Sequence, residues 1–280
     1  MLKQRIVTAI VLLSVLALAV SSSSAWPFLI FLSLACACAG FEWLRLTLGG
    51  RSVWSFVGGL LLFVAALLQA SQWISGEIKL NVTVKNLVLS AVLIWVLVML
   101  PTLWRSQVTK PMHAFTNSLA ALVTLYATWV VLAYWYVKRG PSFVVTLLIV
   151  VWVADIAAYF VGRAFGRHKL APSISPGKTI EGALAGVAGV VAWLTASAGF
   201  SDTFASVLLT NWSWLGLVVA AILLAVFSIT GDLYESLLKR RAGVKDSSQL
   251  LPGHGGVYDR IDAVVAVVPL AFVLIEGYSW

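Results

Sequence analysis

Nine long apolar segments, separated by short polar ones, account for most of the chain. Each is close to the ~20 residues that a helix needs to cross the hydrocarbon core of a bilayer. The apolar runs are continuous rather than alternating, which argues against an outer-membrane β-barrel. The pattern therefore predicts an all-α, polytopic transmembrane helical bundle of about nine spans, near residues 6–22, 25–41, 54–70, 86–104, 116–137, 141–162, 182–200, 211–231 and 261–277.

The composition supports a membrane protein. Hydrophobic residues make up 61% of the chain and charged residues 11%, whereas a soluble domain carries about 25% charged residues. The first apolar run follows Lys3 and Arg5 and resembles a signal peptide, but a second run begins at once, so we predict an uncleaved first span paired with the second. Cys36 and Cys38 lie two residues apart within one span, where they do not face each other, and are predicted to be buried apolar side chains.

Basic residues concentrate in alternate loops, and this distribution predicts the orientation. The positive-inside rule explains the net charge of +8 without a nucleic-acid partner. It predicts a multi-pass protein of the inner (cytoplasmic) membrane, with the N-terminus in the cytoplasm and the C-terminus outside. The cytoplasmic basic residues would be Lys3, Arg5, Arg45, Arg51, Arg105, Lys110, Arg163, Arg167, Lys169, Lys178, Lys239, Arg240, Arg241, Lys245 and Arg260; the opposite loops hold Lys79, Lys85, Lys138 and Arg139.

The two halves of the chain differ in their chemistry. Residues 1–140, with about five spans, carry no candidate site, and Glu42 and Arg45 at the end of the second span are predicted to form an ion pair. Residues 141–280 contain two polar cytoplasmic loops, 163–181 and 232–260. Ten of the chain's 30 charged residues lie between Asp232 and Asp262, so we expect an active site at the cytoplasmic membrane interface.

Carboxylates mark three helix ends on this side. Asp155 lies ~10 Å inside the sixth span, where a carboxylate costs ~3 kcal/mol unless it faces a cavity or a partner. Asp232 and Glu235 share a face at the end of the eighth span, and Asp259 and Asp262 share a face at the start of the ninth. A structural ion pair for Asp155 and a helix-dipole role for one of the last two are the alternatives. Clustered carboxylates without a Cys or His set favour Mg²⁺ over Zn²⁺.

Two further segments offer contacts for phosphate. Residues 173–182, SISPGKTIEG, place Ser175, Lys178 and Thr179 before a helix, although the motif lacks the first glycine and the preceding strand of a Walker motif. A basic juxtamembrane turn is the alternative. Residues 252–256, PGHGG, form a predicted turn whose backbone N–H groups can approach an anion, with His254 at its centre.

These motifs together resemble the signature of the phosphatidate cytidylyltransferase family, the CDP-diacylglycerol synthases. The resemblance extends from about residue 150 to 262. Its motifs are Asp155-x3-Tyr159-x2-Gly162-Arg163, Ser175-Pro176-Gly177-Lys178-Thr179, Gly231-Asp232-x2-Glu235-Ser236, Lys239-Arg240-x4-Lys245-Asp246 and Pro252-x-His254-Gly255-Gly256-Val257-x-Asp259-Arg260-Ile261-Asp262.

The resemblance implies a reaction in phospholipid biosynthesis, in which CTP and phosphatidate give CDP-diacylglycerol and pyrophosphate with Mg²⁺. It also implies a homodimer and a metal-binding carboxylate pair at Asp232 and Asp259, with Asp155 as a further candidate ligand; whether a second cation joins Mg²⁺ stays open. Lys178 is the third catalytic candidate. The predicted substrate-binding residues are Ser175, Thr179, Lys239, Arg240, Lys245, His254, Gly255, Gly256, Arg260 and Asp262.

Three other functions fit some of these features. A CTP-dependent polyprenol or phytol kinase would use the same face and metal but would transfer the γ-phosphoryl group to an alcohol. A transporter could use the same carboxylates, but it should have helix breaks near the midplane of paired spans, and the pattern predicts none. A scaffold would leave the His-Gly-Gly turn unexplained.

Overall fold

A computed structural model describes residues 2–49, 53–76, 78, 81–105, 107–109 and 113–277 of the chain. Arg51, Lys79 and Lys110, which entered the prediction of orientation, lie outside the described residues, as do the side chains of Lys3 and Arg5.

Helices make up almost all of the described structure. They are α1 (Leu2–Ser21), α2 (Trp26–Leu48), α3 (Val53–Ser75), α4 (Val82–Ile94), α5 (Leu100–Trp104), α6 (Ala114–Arg139), α7 (Pro141–Phe165), α8 (Ile180–Ser197), α9 (Phe204–Asn211), α10 (Trp214–Arg241) and α11 (Tyr258–Glu276). A π-helical segment, Trp95–Met99, joins α4 to α5. A two-stranded hairpin, β1 (Lys169–Ala171) and β2 (Ser175–Thr179), lies between α7 and α8.

The predicted fold class is confirmed, and each of the nine predicted spans corresponds to a helix. Within the described residues, seven helices are long and apolar enough to cross a membrane. The other two are α1, whose apolar part is limited to Ile6–Ser21, and α11, which has Asp259, Arg260 and Asp262 in its first turns. The short helix α9 and the hairpin were not predicted.

Side-chain caps fix several helix starts. Asn81 accepts a hydrogen bond from Val84 N at 2.9 Å at the start of α4. Thr203 caps α9 and Ser213 caps α10 in the same way. Such caps satisfy N–H groups that the first helical turn leaves without partners, and each contributes about 1 kcal/mol.

The core lies where α6, α11 and α2 pack together. Residues 263–271 of α11 are buried almost without interruption, and so are residues 127–136 of α6. Trp129 Nε1 of α6 donates to Ser33 Oγ of α2 at 3.0 Å. These interhelical hydrogen bonds matter because lipid offers no alternative partner to a polar group.

Two helical segments contain a local irregularity without being broken: the π segment joins α4 to α5, and α11 contains an internal proline. Pro269 lies inside α11, so the carbonyl of Val265, four residues earlier, loses its helical donor. Trp95 Nε1 in the π segment donates to that carbonyl at 3.2 Å, and Thr128 Oγ1 donates at 3.4 Å. The freed Val265 carbonyl therefore has donors within the buried core. The two irregularities do not line a cavity in the way that the helix breaks of a transporter do.

The chain gathers its polar segments at one end of the bundle. There Tyr234 of α10 donates to Asn117 Oδ1 of α6 at 2.5 Å, and Thr8 of α1 donates to the carbonyl of Pro252 at 2.8 Å. Arg139 of α6 and Glu276 of α11 form an ion pair at 2.9 Å at the opposite end. The segments predicted to be cytoplasmic thus share one end, while the side of the membrane stays a prediction.

The hairpin corrects the prediction that Lys178 lies in a loop without strands. β1 and β2 pair antiparallel, with Lys169 opposite Thr179 and Ala171 opposite Ser175. The pairing places Lys178 on a strand that runs directly into α8, whose first turn is capped by Thr179 Oγ1 accepting from Gly182 N at 3.2 Å.

Candidate active site at one end of the bundle

Helices α7 and α8 approach each other closely because glycines line their crossing. A Cβ atom on Gly182 would lie 2.7 Å from the carbonyl oxygen of Ala158, and one on Gly186 would lie 2.9 Å from that of Ala154. Both distances are below normal contact, so side chains are excluded here. The close crossing brings Asp155 of α7 and Lys178, just before α8, to the same space.

That space is a cavity of about 690 Å³ between α7, the hairpin, α8, α10 and the start of α11. This volume falls in the range of small-molecule binding sites. Six carboxylates and four cationic side chains line it, a formal excess of two negative charges; they are Asp155, Asp232, Glu235, Asp246, Asp259, Asp262, Arg163, Lys178, Lys239 and Arg260.

Three of these carboxylates form a compact group. Asp232, Glu235 and Asp262 each offer an oxygen, and these oxygens all lie within 4.8 Å of one another. Asp232 forms an ion pair with Lys178, and Glu235 Oε2 lies 2.6 Å from Lys239 Nζ. Glu235 is 1% exposed, and its buried Oε1 accepts no hydrogen bond from the described residues.

Such an arrangement fits a divalent cation. Like charges this close repel one another unless a cation or a proton is shared between them. Carboxylate oxygens are the ligands that Mg²⁺ prefers, and the unsatisfied Glu235 Oε1 leaves an acceptor for it. The group thus contains Asp232, one of the two predicted metal ligands.

Asp259, the other predicted ligand, lies in an adjoining network. Its carboxylate accepts from Lys239 Nζ at 2.7 Å, Gly256 N at 2.7 Å, and Ser247 N and Oγ at 3.0 Å. Lys239 links the two networks because it also contacts Glu235. The structure brings Asp259 to the cavity but not into the three-carboxylate group, and its metal-binding role stays a prediction. Asp155 lines the cavity on the α7 side.

The glycine-rich turn supports the site from outside the cavity. Leu251 and Gly255 form a β-bridge, and Gly253 and Gly255 adopt positive φ of 75° and 82°. His254 N donates to Leu251 O at 2.9 Å, so this N–H is already used within the protein. His254, Gly255 and Gly256 do not line the cavity, whereas Arg260, which donates from Nε to His254 O at 3.1 Å, does.

Two predicted phosphate-binding residues also lie away from the cavity lining. Arg240 is exposed and donates from Nε to Ile174 O at 3.2 Å, which ties α10 to the hairpin. Lys245 is exposed in the turn that follows α10. Their roles in substrate binding stay predictions. Ser175, Lys178 and Thr179 all reach the cavity.

Sequence reasoning missed three contributors. Glu235 shares a helix face with Asp232 but is not among the predicted site residues, although its i, i+3 spacing from Asp232 is a signal that could have identified it. Arg163 also lines the cavity, and its Nη1 donates to the Tyr159 hydroxyl at 2.9 Å. Glu42 was expected to pair with Arg45, but it accepts instead from residues beside the glycine-rich turn. The N-terminal half of the chain therefore contributes a carboxylate that contacts residues next to the candidate site.

Comparisons with known proteins place this geometry in context. A sequence model described as the cytidylyltransferase family matches residues 3–278. A protein of Pseudomonas aeruginosa named phosphatidate cytidylyltransferase is 36% identical, over 100% of this chain and 99% of its own length. Proteins of the same name from Haemophilus influenzae and Staphylococcus haemolyticus are 32% and 33% identical, over 96% and 80% of both chains respectively.

Proposed function

The chain belongs to the cytidylyltransferase family, and from this premise we propose that it is an integral-membrane phosphatidate cytidylyltransferase. It would convert CTP and phosphatidate into CDP-diacylglycerol and pyrophosphate. The observation that carries the proposal is the cavity in which a three-carboxylate group adjoins Lys178 and Lys239, at an end of a membrane-spanning bundle. A reaction between one water-soluble and one lipid substrate needs a site where the membrane meets water, and an end of the bundle can provide one.

In the proposed reaction a phosphate oxygen of phosphatidate attacks the α-phosphorus of CTP. The new P–O bond forms as the bond from the α-phosphorus to the oxygen bridging to the β-phosphorus breaks, and that oxygen leaves with pyrophosphate. The nucleophile is supplied by the lipid, so the protein needs no nucleophilic side chain. Its task is to align the reacting groups and to neutralise the charge between them.

The residues at the cavity can divide this task. Lys178 and Arg260 are cations that line the cavity from two different elements, the hairpin and α11, and would bind phosphate oxygens. Lys239 holds Glu235 and Asp259 in place through contacts of 2.6 and 2.7 Å. Asp232, Glu235 and Asp262, with Asp259 and Asp155 as further candidates, would hold Mg²⁺. When bound, Mg²⁺ supplies charge neutralisation to the phosphates and to the departing pyrophosphate.

Purified protein with CTP, phosphatidate and Mg²⁺ tests the proposal. Label from α-labelled CTP is expected in the lipid and label from γ-labelled CTP in pyrophosphate. The Asp232→Asn variant should lose incorporation, while Asp202→Asn, which changes an acid at the far end of the bundle, should keep it. Transfer of γ-label to a polyprenol or phytol, without α-label, would replace the proposal with the lipid kinase, which the same carboxylates and cations could serve.

The remaining assignments follow from loop charge and family resemblance. We propose an inner-membrane protein whose active site faces the cytoplasm, where CTP is available, with the N-terminus on that side and the C-terminus outside. We also propose a homodimer, which cross-linking in native membranes would test. The division into an N-terminal region of residues 1–140 and a catalytic region of residues 141–280 stays a prediction.

A further inference from the structure

Glu42 of α2 is a buried carboxylate that the proposed mechanism does not use. It is 0% exposed and lies in the half of the chain without motif residues. Burying a carboxylate costs several kcal/mol unless its oxygens find donors. The identity of those donors therefore indicates what the residue is for.

Among the described residues, the donors to Glu42 come from the segment that carries the candidate site. Oε1 accepts from Val257 N at 3.0 Å and from the Ser248 hydroxyl. Oε2 accepts from Tyr258 N at 2.6 Å and shares the Ser247 hydroxyl, 3.2 Å away, with Asp259. Val257 and Tyr258 begin α11. A carboxylate at a helix N-terminus satisfies free N–H groups and interacts favourably with the helix dipole.

These contacts reach the site through short connections. Ser247 Oγ lies between the two carboxylates, 3.2 Å from Glu42 Oε2 and 3.0 Å from Asp259 Oδ2. Asp259 and Asp262 project from the first turns of the helix whose start Glu42 holds. Arg45, one turn after Glu42, also donates to the Ser247 carbonyl. The position of both aspartates therefore depends on a side chain from α2.

The glycine-rich turn is shaped around this carboxylate. A Cβ atom on Gly256 would lie 2.6 Å from each Glu42 oxygen, which no ordinary contact permits. Gly256, predicted to contact substrate, thus has a second reason to be glycine, because it lets the turn close over Glu42.

We propose that Glu42 is a positioning residue for the active site, holding residues 247–258 and the start of α11 so that Asp259 and Asp262 face Asp232 and Glu235. The inference rests on the proposed function for its catalytic consequence, but the positioning itself can be measured without turnover. A glutamine would keep the size but turn a donor NH₂ group toward N–H or O–H donors.

The test compares Glu42→Gln with Glu276→Gln, which changes a carboxylate held by Arg139 and Trp135 at the opposite end. Calorimetric titration with Mg²⁺ in detergent should give a Kd about tenfold or more above wild type for Glu42→Gln, the effect typical of outer-sphere partners of a metal site. Hydrogen exchange at residues 247–258 should speed up in the same variant. Glu276→Gln should lower Tm yet leave Mg²⁺ binding and this exchange unchanged.

If Glu42→Gln does not fold, Ser248→Ala removes one donor to Glu42 and takes its place in both measurements. Outer-sphere partners of a metal site change its affinity by about 10–100-fold. A Kd for Mg²⁺ within about twofold of wild type, together with unchanged hydrogen exchange, would therefore overturn the inference. Equal effects of Glu42→Gln and Glu276→Gln would also overturn it, since both would then act only on stability. A wild-type protein that makes no labelled lipid would refute the proposed function, while the binding and exchange comparison would still decide the role of Glu42.

Discussion

Replacing Lys178 by alanine separates phosphate binding from structural support. Lys178 contacts Asp232, and the two side chains are 26% and 32% exposed. An ion pair with this access to solvent contributes at most about 1 kcal/mol to stability. We therefore expect Lys178→Ala to unfold in detergent within a few degrees of wild type.

The expected kinetic effect is much larger than the effect on stability. Two unit charges 4 Å apart interact by about 4 kcal/mol at an effective dielectric constant of 20, and the loss of one preorganised contact to a developing charge costs about 3–4 kcal/mol. Lys178→Ala should thus lose about 100- to 1000-fold in kcat/KM for CTP. Lys169→Ala, which removes an exposed cation from the other strand of the hairpin, should lose almost nothing.

Mg²⁺ binding by the same variants distinguishes two roles for Lys178. Its ammonium group forms an ion pair with Asp232, and a metal ion bound to this carboxylate would compete with that ion pair. Lys178→Ala should therefore bind Mg²⁺ as tightly as wild type or more tightly, while turnover falls. Weaker Mg²⁺ binding in proportion to the lost activity would mean that Lys178 arranges Asp232 instead of binding phosphate. Equal, small losses in the Lys178 and Lys169 variants would remove the hairpin from the site.

Three further outcomes are expected. EDTA should abolish lipid labelling, and added Mg²⁺ should restore it; activity that survives chelation would refute the metal. In a variant without the native cysteines, single cysteines that replace Ser173 or Gln249 should react with a membrane-impermeant thiol reagent only from the cytoplasmic side. A cysteine that replaces Ser201 should react only from the outside. The reversed labelling would show that the predicted orientation is wrong. Trp95→Phe should lower stability by about 1 kcal/mol because it removes a donor to the carbonyl freed by the proline of α11, whereas Trp104→Phe, at a 92% exposed position, should leave Tm unchanged.

Features with a local sequence signal were predictable. Hydropathy located all nine major helices because lipid forces the backbone to satisfy its hydrogen bonds within each span. The spacing of Asp232 and Asp259 within their helices, and of Lys178 before α8, also indicated which side chains reach the cavity. These predictions depended only on the spacing of residues within each helix and on the order of the helices along the chain.

Features created by contacts distant in sequence were not predictable. Glu42 receives its donors from residues more than 200 positions away, so nothing near it indicates its role. The hairpin is three and five residues long, and its Ser-Pro-Gly segment favours a turn in isolation. The hydrogen bond from Trp95 in the π segment to the Val265 carbonyl likewise joins residues 170 positions apart, so a local pattern does not indicate it.

The site's charges also explain why it is built from separate elements. Five carboxylates on α7, α10 and α11 face one cavity, and the cations Lys178 and Lys239 lie among them. A single helix with this density of acids would be destabilised by repulsion between like charges at i, i+4 spacing. Distributing the acids over three helices limits the number of acids in each of them, so most of the repulsion appears only when the helices pack. The ion pairs to the two lysines, and the donors that Ser247 and Gly256 supply to Asp259, offset it there. Because Lys178 lies on β2 of the hairpin rather than on a long helix, the proposed exchange of its carboxylate partner for a substrate phosphate would not disturb the packing of the bundle.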